Sequence, residues 1–229
     1  MPDKNHLVLA VVDCSGSMAG QAAAVVGVQL HDLLAELQAD RNAERIQFGI
    51  LGYRGEAFWM LPPMPVAEVN DLPPIQIKAD SDGFFPIGRL SSAWSMLAAL
   101  LHNNRLFPDG TEGIIHIVLF TDALPTERMS VLRDSLDLFC SVEPVESGHC
   151  FRYLIRQPSK LRNDKMRYRE ALMLRFAGNK QHFIQADSFA LWLNGFVAGL
   201  SGDAQAASGN AEYDVFSAFG SSEDPFSDF

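Results

Sequence analysis

The chain has 229 residues, 48% of them hydrophobic, and a formal net charge of −10. That apolar content supports a packed core and excludes disorder throughout, while the acidic balance argues against nucleic acid as the main partner. No run of about 18 uncharged apolar residues is present for a membrane span, and the apolar run at 6–12 is too short for a signal-peptide core. Three cysteines (Cys14, Cys140 and Cys150) are too few for a disulfide scaffold, so a reduced, cytoplasmic protein is expected.

Residues 6–12 (HLVLAVV) form a continuous apolar run rich in β-branched side chains. Such a run predicts a strand buried on both faces, as in parallel sheets. A polar turn, DCSGSMAG, follows, and then Val26, Leu30, Leu33, Leu34 and Leu37 recur at helical spacing over 21–38. Strand, short loop and helix open a doubly wound sheet. Residues 46–53 predict a second strand, and 57–61 a short antiparallel one after a hairpin-like GYRGE. A proline-rich stretch (62–86) reads as loop, before a helix with Leu90, Trp94, Leu97, Ala98 and Leu101 on one face. Residues 114–120 (IIHIVLF) predict the second fully buried strand. Helix at 126–139, strand at 150–156, helix at 164–176 ended by Gly178, and a short strand at 182–185 complete the alternation. Asp187 or Ser188 is expected to cap a last helix carrying Phe189, Trp192, Phe196 and Leu200. The fold class is therefore α/β: a doubly wound, mostly parallel central sheet with one antiparallel edge strand and helices on both faces.

Charge is unevenly spread. Residues 152–180 carry nine basic and two acidic side chains, whereas 201–229 carry six acids and no Lys or Arg. The expected organisation is a domain over 1–200 and a disordered acidic tail over 201–229, with the basic segment a potential dock for that tail. The tail holds an approximate repeat, Asp214-Val-Phe216-Ser-Ala-Phe219 and Asp224-Pro-Phe226-Ser-Asp-Phe229. Paired phenylalanines among acids fit a groove on a partner, so Phe216, Phe219, Phe226 and Phe229 are candidate binding residues.

Ligands of open α/β sheets bind beyond the carboxyl ends of the strands. Asp13, Ser15 and Ser17 stand at one such end in the pattern D-x-S-x-S, and Thr121-Asp122 stands at the end of the other buried strand. Hard oxygen donors of this kind suit Mg²⁺ or Mn²⁺. The bland alternative for the serines is N-capping of the first helix. No nucleotide-binding or nucleophile-elbow pattern is present, the six histidines show no paired spacing, and Cys140, His149 and Cys150 lack the spacing of a zinc site.

At VVDCSGSM and FTDALPTE the chain resembles the von Willebrand factor A (VWA) family, and the order of elements fits over roughly residues 5–200. Within that family it is most similar to small bacterial proteins found with tellurium-resistance and stress-response systems. The resemblance implies a metal-ion-dependent adhesion site (MIDAS): Ser15 and Ser17 bind the ion directly, Asp13 and Asp122 directly or through water, and one open position takes a partner's carboxylate. It also implies protein partners, among them kinases or phosphatases. Phe85 stands where the family has a threonine ligand, and Ala123 where it has a glycine. Two readings of the site therefore stand, one binding metal and one degenerate. Phe84 and Phe85 would make its rim apolar and suited to a hydrophobic anchor. The functional expectation is a non-enzymatic interaction adaptor; the alternative is a Mg²⁺-dependent phosphohydrolase using Asp13 and Asp122.

Overall fold

The computed structural model describes residues 4–77, 87–102, 107, 113–123, 126–158 and 166–201, with 166–170 described as backbone only. Six strands form one sheet in the order β3-β2-β1-β4-β5-β6. They are β1 (Asn5–Asp13), β2 (Ile46–Tyr53), β3 (Ala57–Pro65), β4 (Gly113–Thr121), β5 (Cys150–Arg156) and β6 (Phe183–Gln185). All pairings are parallel except that of β3 with β2, which places one antiparallel strand at an edge as expected. The helices are α1 (Gln21–Ala39), α2 (Leu90–His102), α3 (Met129–Cys140), the single turn α4 (Glu143–Glu146), α5 (Met166–Ala177) and α6 (Phe189–Leu200). None of the described helices is long and apolar enough to cross a membrane.

The period-2 alternation of β1 divides its apolar run between two cores. Leu7, Leu9 and Val11 face α2, α3 and α5, where Trp94, Leu97, Leu136, Phe139 and Phe176 are buried. Val8, Ala10 and Val12 face α1 and α6, against Val26, Leu30, Leu33, Phe189 and Phe196. Both faces of the central strand are thus covered, which accounts for its lack of polar alternation.

Several boundaries differ from the sequence reading. The edge strand β3 runs on to Pro65, because an edge strand tolerates the missing N–H of Pro62, Pro63 and Pro65. Helix α3 starts at Met129, since Thr126 and Glu127 bond to other loops instead. Helix α6 has Ser188 at its N-cap, and neither that side chain nor Asp187 caps it. Gly178 does adopt a left-handed φ of 70° after α5, with its N–H donating to Leu174 O at 2.9 Å.

At the amino ends of β1 and β4, His6 and His116 form a buried pair, with Nδ1 of His6 and Nε2 of His116 3.1 Å apart. One ring donates and the other accepts, so the contact requires at least one neutral ring. The His116 ring stacks on His6 and Phe151 and meets Phe196 edge-on. Burial, and secondarily the neighbouring His6, pushes His116 down to about 3. Burial also lowers His6, with Asp40 opposing. Both rings are therefore neutral in the fold near pH 7. A histidine whose folded pKa is depressed contributes stability that is complete above its unfolded value and is lost as pH falls towards the folded one. Between pH 6.5 and 5 the wild type should lose on the order of 2 kcal/mol more than His116→Phe, from one lost proton equilibrium. Urea unfolding at a series of pH values reads this; parallel slopes for the two proteins would contradict it.

Candidate functional site

The sheet reverses its winding between β1 and β4, and Asp13 and Thr121 are the last residues of those strands. Asp13 and Asp122 are 3% and 1% exposed, so this crevice holds two acids away from water. The Asp13 carboxylate is held at both oxygens. Its Oδ1 accepts from Ser15 N–H at 2.9 Å, and its Oδ2 accepts from Thr121 Oγ1 at 2.8 Å. Thr121 Oγ1 in turn accepts from Tyr53 O–H at 3.3 Å and from Ala123 N–H at 3.1 Å. A relay Tyr53 → Thr121 → Asp13 therefore spans the ends of β2, β4 and β1.

Neither Ser15 nor Ser17 caps α1. The N-cap of α1 is Gly20, at φ 81°; Ser17 lies in a separate 3₁₀ turn over Gly16–Met18, pinned by buried Met18, and Ser15 stands at that turn's N-cap position without a side-chain capping bond. Their hydroxyls lie 3.1 Å apart beside Asp13. Cys14 points the other way, into the α1 face of the core, where its thiol donates to Val12 O at 3.6 Å.

A third backbone segment closes on these two. A Cβ at Gly88 would stand 3.0 Å from Ser15 Cβ and 3.5 Å from Asp13 Oδ1, so only a glycine lets the chain lie directly against the site without displacing it. That segment is fastened from both sides. Arg89 N–H donates to Arg54 O at 2.8 Å, and Thr126 Oγ1 donates to Gly88 O at 3.1 Å. The Glu127 carboxylate accepts from Ser91 N–H at 3.0 Å and from the Ser91 hydroxyl, tying the start of α2 to the loop after β4. Of the residues singled out in the sequence, Asp13, Ser15, Ser17 and Asp122 are brought to these strand ends. Phe84, Phe85, Phe216, Phe219, Phe226 and Phe229 lie outside the described residues. The bridging role of Thr121, the Tyr53 hydroxyl and the close approach of Gly88 were not read from the sequence. Tyr53 was open to discovery, as the last residue of the second predicted strand.

Burial raises the Asp13 pKa, against hydrogen bonds from Ser15, Thr121 and Tyr53 that lower it. Tyr53 is pushed well above its ordinary value by burial and then by the Asp13 charge. Burial and the same charge push Cys14 up to about 12, so it is an inert thiol. Two buried carboxyl groups at neighbouring strand ends are an electrostatic setting that a divalent ion offsets. The donors Asp13, Ser15, Ser17 and Asp122 are hard oxygens, and they fit the Mg²⁺ or Mn²⁺ that the VWA resemblance implies. Among the described residues no group of three or more His, Cys, Asp and Glu is arranged to hold a metal. His149 instead pairs with the Ser147 hydroxyl, and Arg152 donates to Cys140 Sγ.

Comparison with known proteins gives a fold and no more. No family model matches the chain, and no curated protein matches it in sequence. Among solved structures, the pilus adhesin SpaC from Lactobacillus rhamnosus GG aligns at TM-score 0.62 and 11% identity, over 89% of this chain and 31% of the adhesin. A von Willebrand factor type A protein from Catenulispora acidiphila aligns at 0.53 and 11%, over 87% of this chain and 43% of that one. The conserved hypothetical protein BatB from Bacteroides thetaiotaomicron aligns at 0.51 and 14%, over 88% of this chain and all (100%) of BatB. The chain thus has a VWA-like fold, and it spans under half the length of the first two.

Two substitutions probe the site's construction. Thr121→Val keeps the shape but leaves Asp13 Oδ2 and the Tyr53 hydroxyl without their bridge, at a cost of about 1–3 kcal/mol in urea unfolding, with Thr121→Ser largely retaining stability. Ala123 is the one described non-glycine residue with positive φ, at 60°, and it is buried. Its left-handed strain of about 1–2 kcal/mol opposes the methyl burial of about 0.8 kcal/mol and the added chain entropy that glycine brings. Ala123→Gly should therefore stay within about 1 kcal/mol of wild type, where an unstrained buried methyl would cost more.

Proposed function

We propose that this domain is a non-enzymatic interaction adaptor that binds a partner protein at the crevice between β1 and β4. The observation that carries this reading is the convergence of Asp13, Ser15, Ser17 and Asp122 on two adjacent strand ends, with Gly88 lying against them. Asp13, Ser15, Ser17 and Asp122 would hold a hard divalent ion there, and that ion would supply a positive centre for a carboxylate of the partner. Hydroxyl donors carry no charge, so the ion stays electrophilic towards an incoming Asp or Glu. The fold is shared with a pilus adhesin, which is in keeping with a binding role. Phe84 and Phe85 supply an apolar rim, and the tail phenylalanines Phe216, Phe219, Phe226 and Phe229 supply a second contact. The setting is the bacterial cytoplasm, in a stress, tellurium-resistance or defence system whose partners include a kinase or phosphatase.

Calorimetric titration of Mg²⁺ and Mn²⁺ into wild type and Asp13→Ala tests the metal step. Saturable binding that disappears in the variant is expected; heat identical to buffer for both ions would mean that Phe85 has cost the site its metal. Phosphate release from generic phosphate esters with added Mg²⁺ separates the adaptor from the phosphohydrolase alternative, and none above blank is expected.

A further inference from the structure

A second concavity lies beside the strand-end site, on the α1 face of the sheet. It has a volume of about 240 Å³ and is lined by Cys14, Arg54, Phe58, Met60, Pro74 and Ile77, among others. That is below the roughly 300–1,000 Å³ of pockets that hold drug-sized ligands, and it suits a single large side chain. The cavity is built by a close approach. Gly52 pairs with Phe58 across β2 and β3, and a Cβ there would stand 2.7 Å from Phe58 Cζ and 3.1 Å from Met60 Cγ. Phe58 and Met60 can therefore lie flat over β2 and form an apolar wall. Cys14 is the buried floor, and exposed Pro74 and Arg54 form the rim. Arg54 Cζ sits 5.4 Å from the centre of the Phe58 ring, and among the described residues its guanidinium has no carboxylate partner. A slot walled by Phe58, Met60 and Ile77, with Arg54 and Gln76 as its polar groups, is matched by an aromatic side chain with an acid close to it in sequence.

The chain itself carries two segments of that chemistry, Asp214-Val-Phe216 and Asp224-Pro-Phe226. We infer that the acidic tail of the same chain docks in this pocket, a Phe of the repeat entering between Met60 and Ile77 and the Asp two residues before it meeting Arg54. Geometry allows it. The last described residue, Ser201, is fixed to the carboxyl end of α1, where Arg41 Nη2 donates to its carbonyl at 2.6 Å. Cys14, just before α1, and the pocket lie on the same sheet face as that helix. The 19 residues of α1 span about 28 Å, the distance the tail must cover. Asp224 follows Ser201 by twenty-three positions. A small-residue chain of that length has a root-mean-square reach of about 26 Å. Matched span and reach give the highest effective concentration of a tethered ligand. The tail would then cover ground next to Ser15, and release of the tail would precede or accompany docking of anything larger there.

The full-length protein labelled with ¹³C at the methionine methyls reads the pocket directly, since Met60 lines it. The Met60 signal, assigned by its loss in Met60→Leu, should carry a ring-current shift from the tail on top of the one that neighbouring Phe58 gives it. That tail-dependent part of the shift should be lost when Phe216, Phe219, Phe226 and Phe229 are all changed to Ala. In Arg54→Glu it should be reduced or lost, and it should be insensitive to protein concentration. An unchanged Met60 signal in the tail variant would overturn the inference, including the case in which the tail settles on the basic 152–180 segment. A shift that grows with concentration would overturn it too, by assigning the pocket to a second copy. The readout uses no cation and no partner, so its outcome is separate from that of the metal titration.

Discussion

A single hydroxyl joins the two central strands where the crevice opens. Thr121 donates to Asp13 and receives from Tyr53, so the ends of β1, β2 and β4 share one hydrogen-bonded chain in a place shielded from water. Hydrogen bonds to a charged acceptor in low dielectric are strong, and leaving either partner unmade is costly. The bridge also orients the carboxylate: with Oδ2 held by Thr121, Asp13 Oδ1 faces the Ser15 N–H, and the two bonds fix the side chain between them. Gly88 then seats against a surface already fixed. The site is thus organised by protein groups before any ion or partner arrives, the condition under which binding loses least to reordering.

The strand framework was legible because burial on both faces leaves an unmistakable mark. The runs at 6–12 and 114–120 contain almost no polar residue, and they became the two innermost, adjacent strands. The serines and aspartates of the site were legible for the same reason, since each follows directly on such a run. What the sequence hid was contact between distant segments. Thr126 and Glu127 read as the opening of a helix, yet their side chains are claimed by Gly88 and Ser91 across the crevice, and the helix waits until Met129. Tertiary hydrogen bonds overrode a weak local propensity. Prolines misled in the opposite direction: Pro62, Pro63 and Pro65 read as loop, although an edge strand has one row of N–H groups it need not use.

His6 and His116 illustrate a different hidden term. Each is a plausible core residue alone, and nothing in the local sequence pairs them. The parallel register of β1 on β4 sets Val8 opposite His116, which brings the two rings into stacking distance beneath Phe196. Their hydrogen bond ties the amino end of the sheet to solvent acidity, while the candidate site sits at the carboxyl end. Acid sensitivity of the fold and the geometry of the Asp13 crevice therefore belong to opposite edges of the sheet.

The fastening of Ser201 has a mechanical side. Its carbonyl takes a hydrogen bond from Arg41 and its hydroxyl donates to Asp40, both residues lying at the carboxyl end of α1. A load applied through the tail would enter the molecule at this clamp. It would be shared between α1 and α6 and their common core before it reached the three-residue strand β6, which precedes α6 at the sheet edge. Tension would thus be resisted by sliding two helices over a packed sheet, a stiffer mode than unzipping an edge strand bond by bond. Tension on the tail would thereby spare the strand ends that carry Asp13 and Asp122.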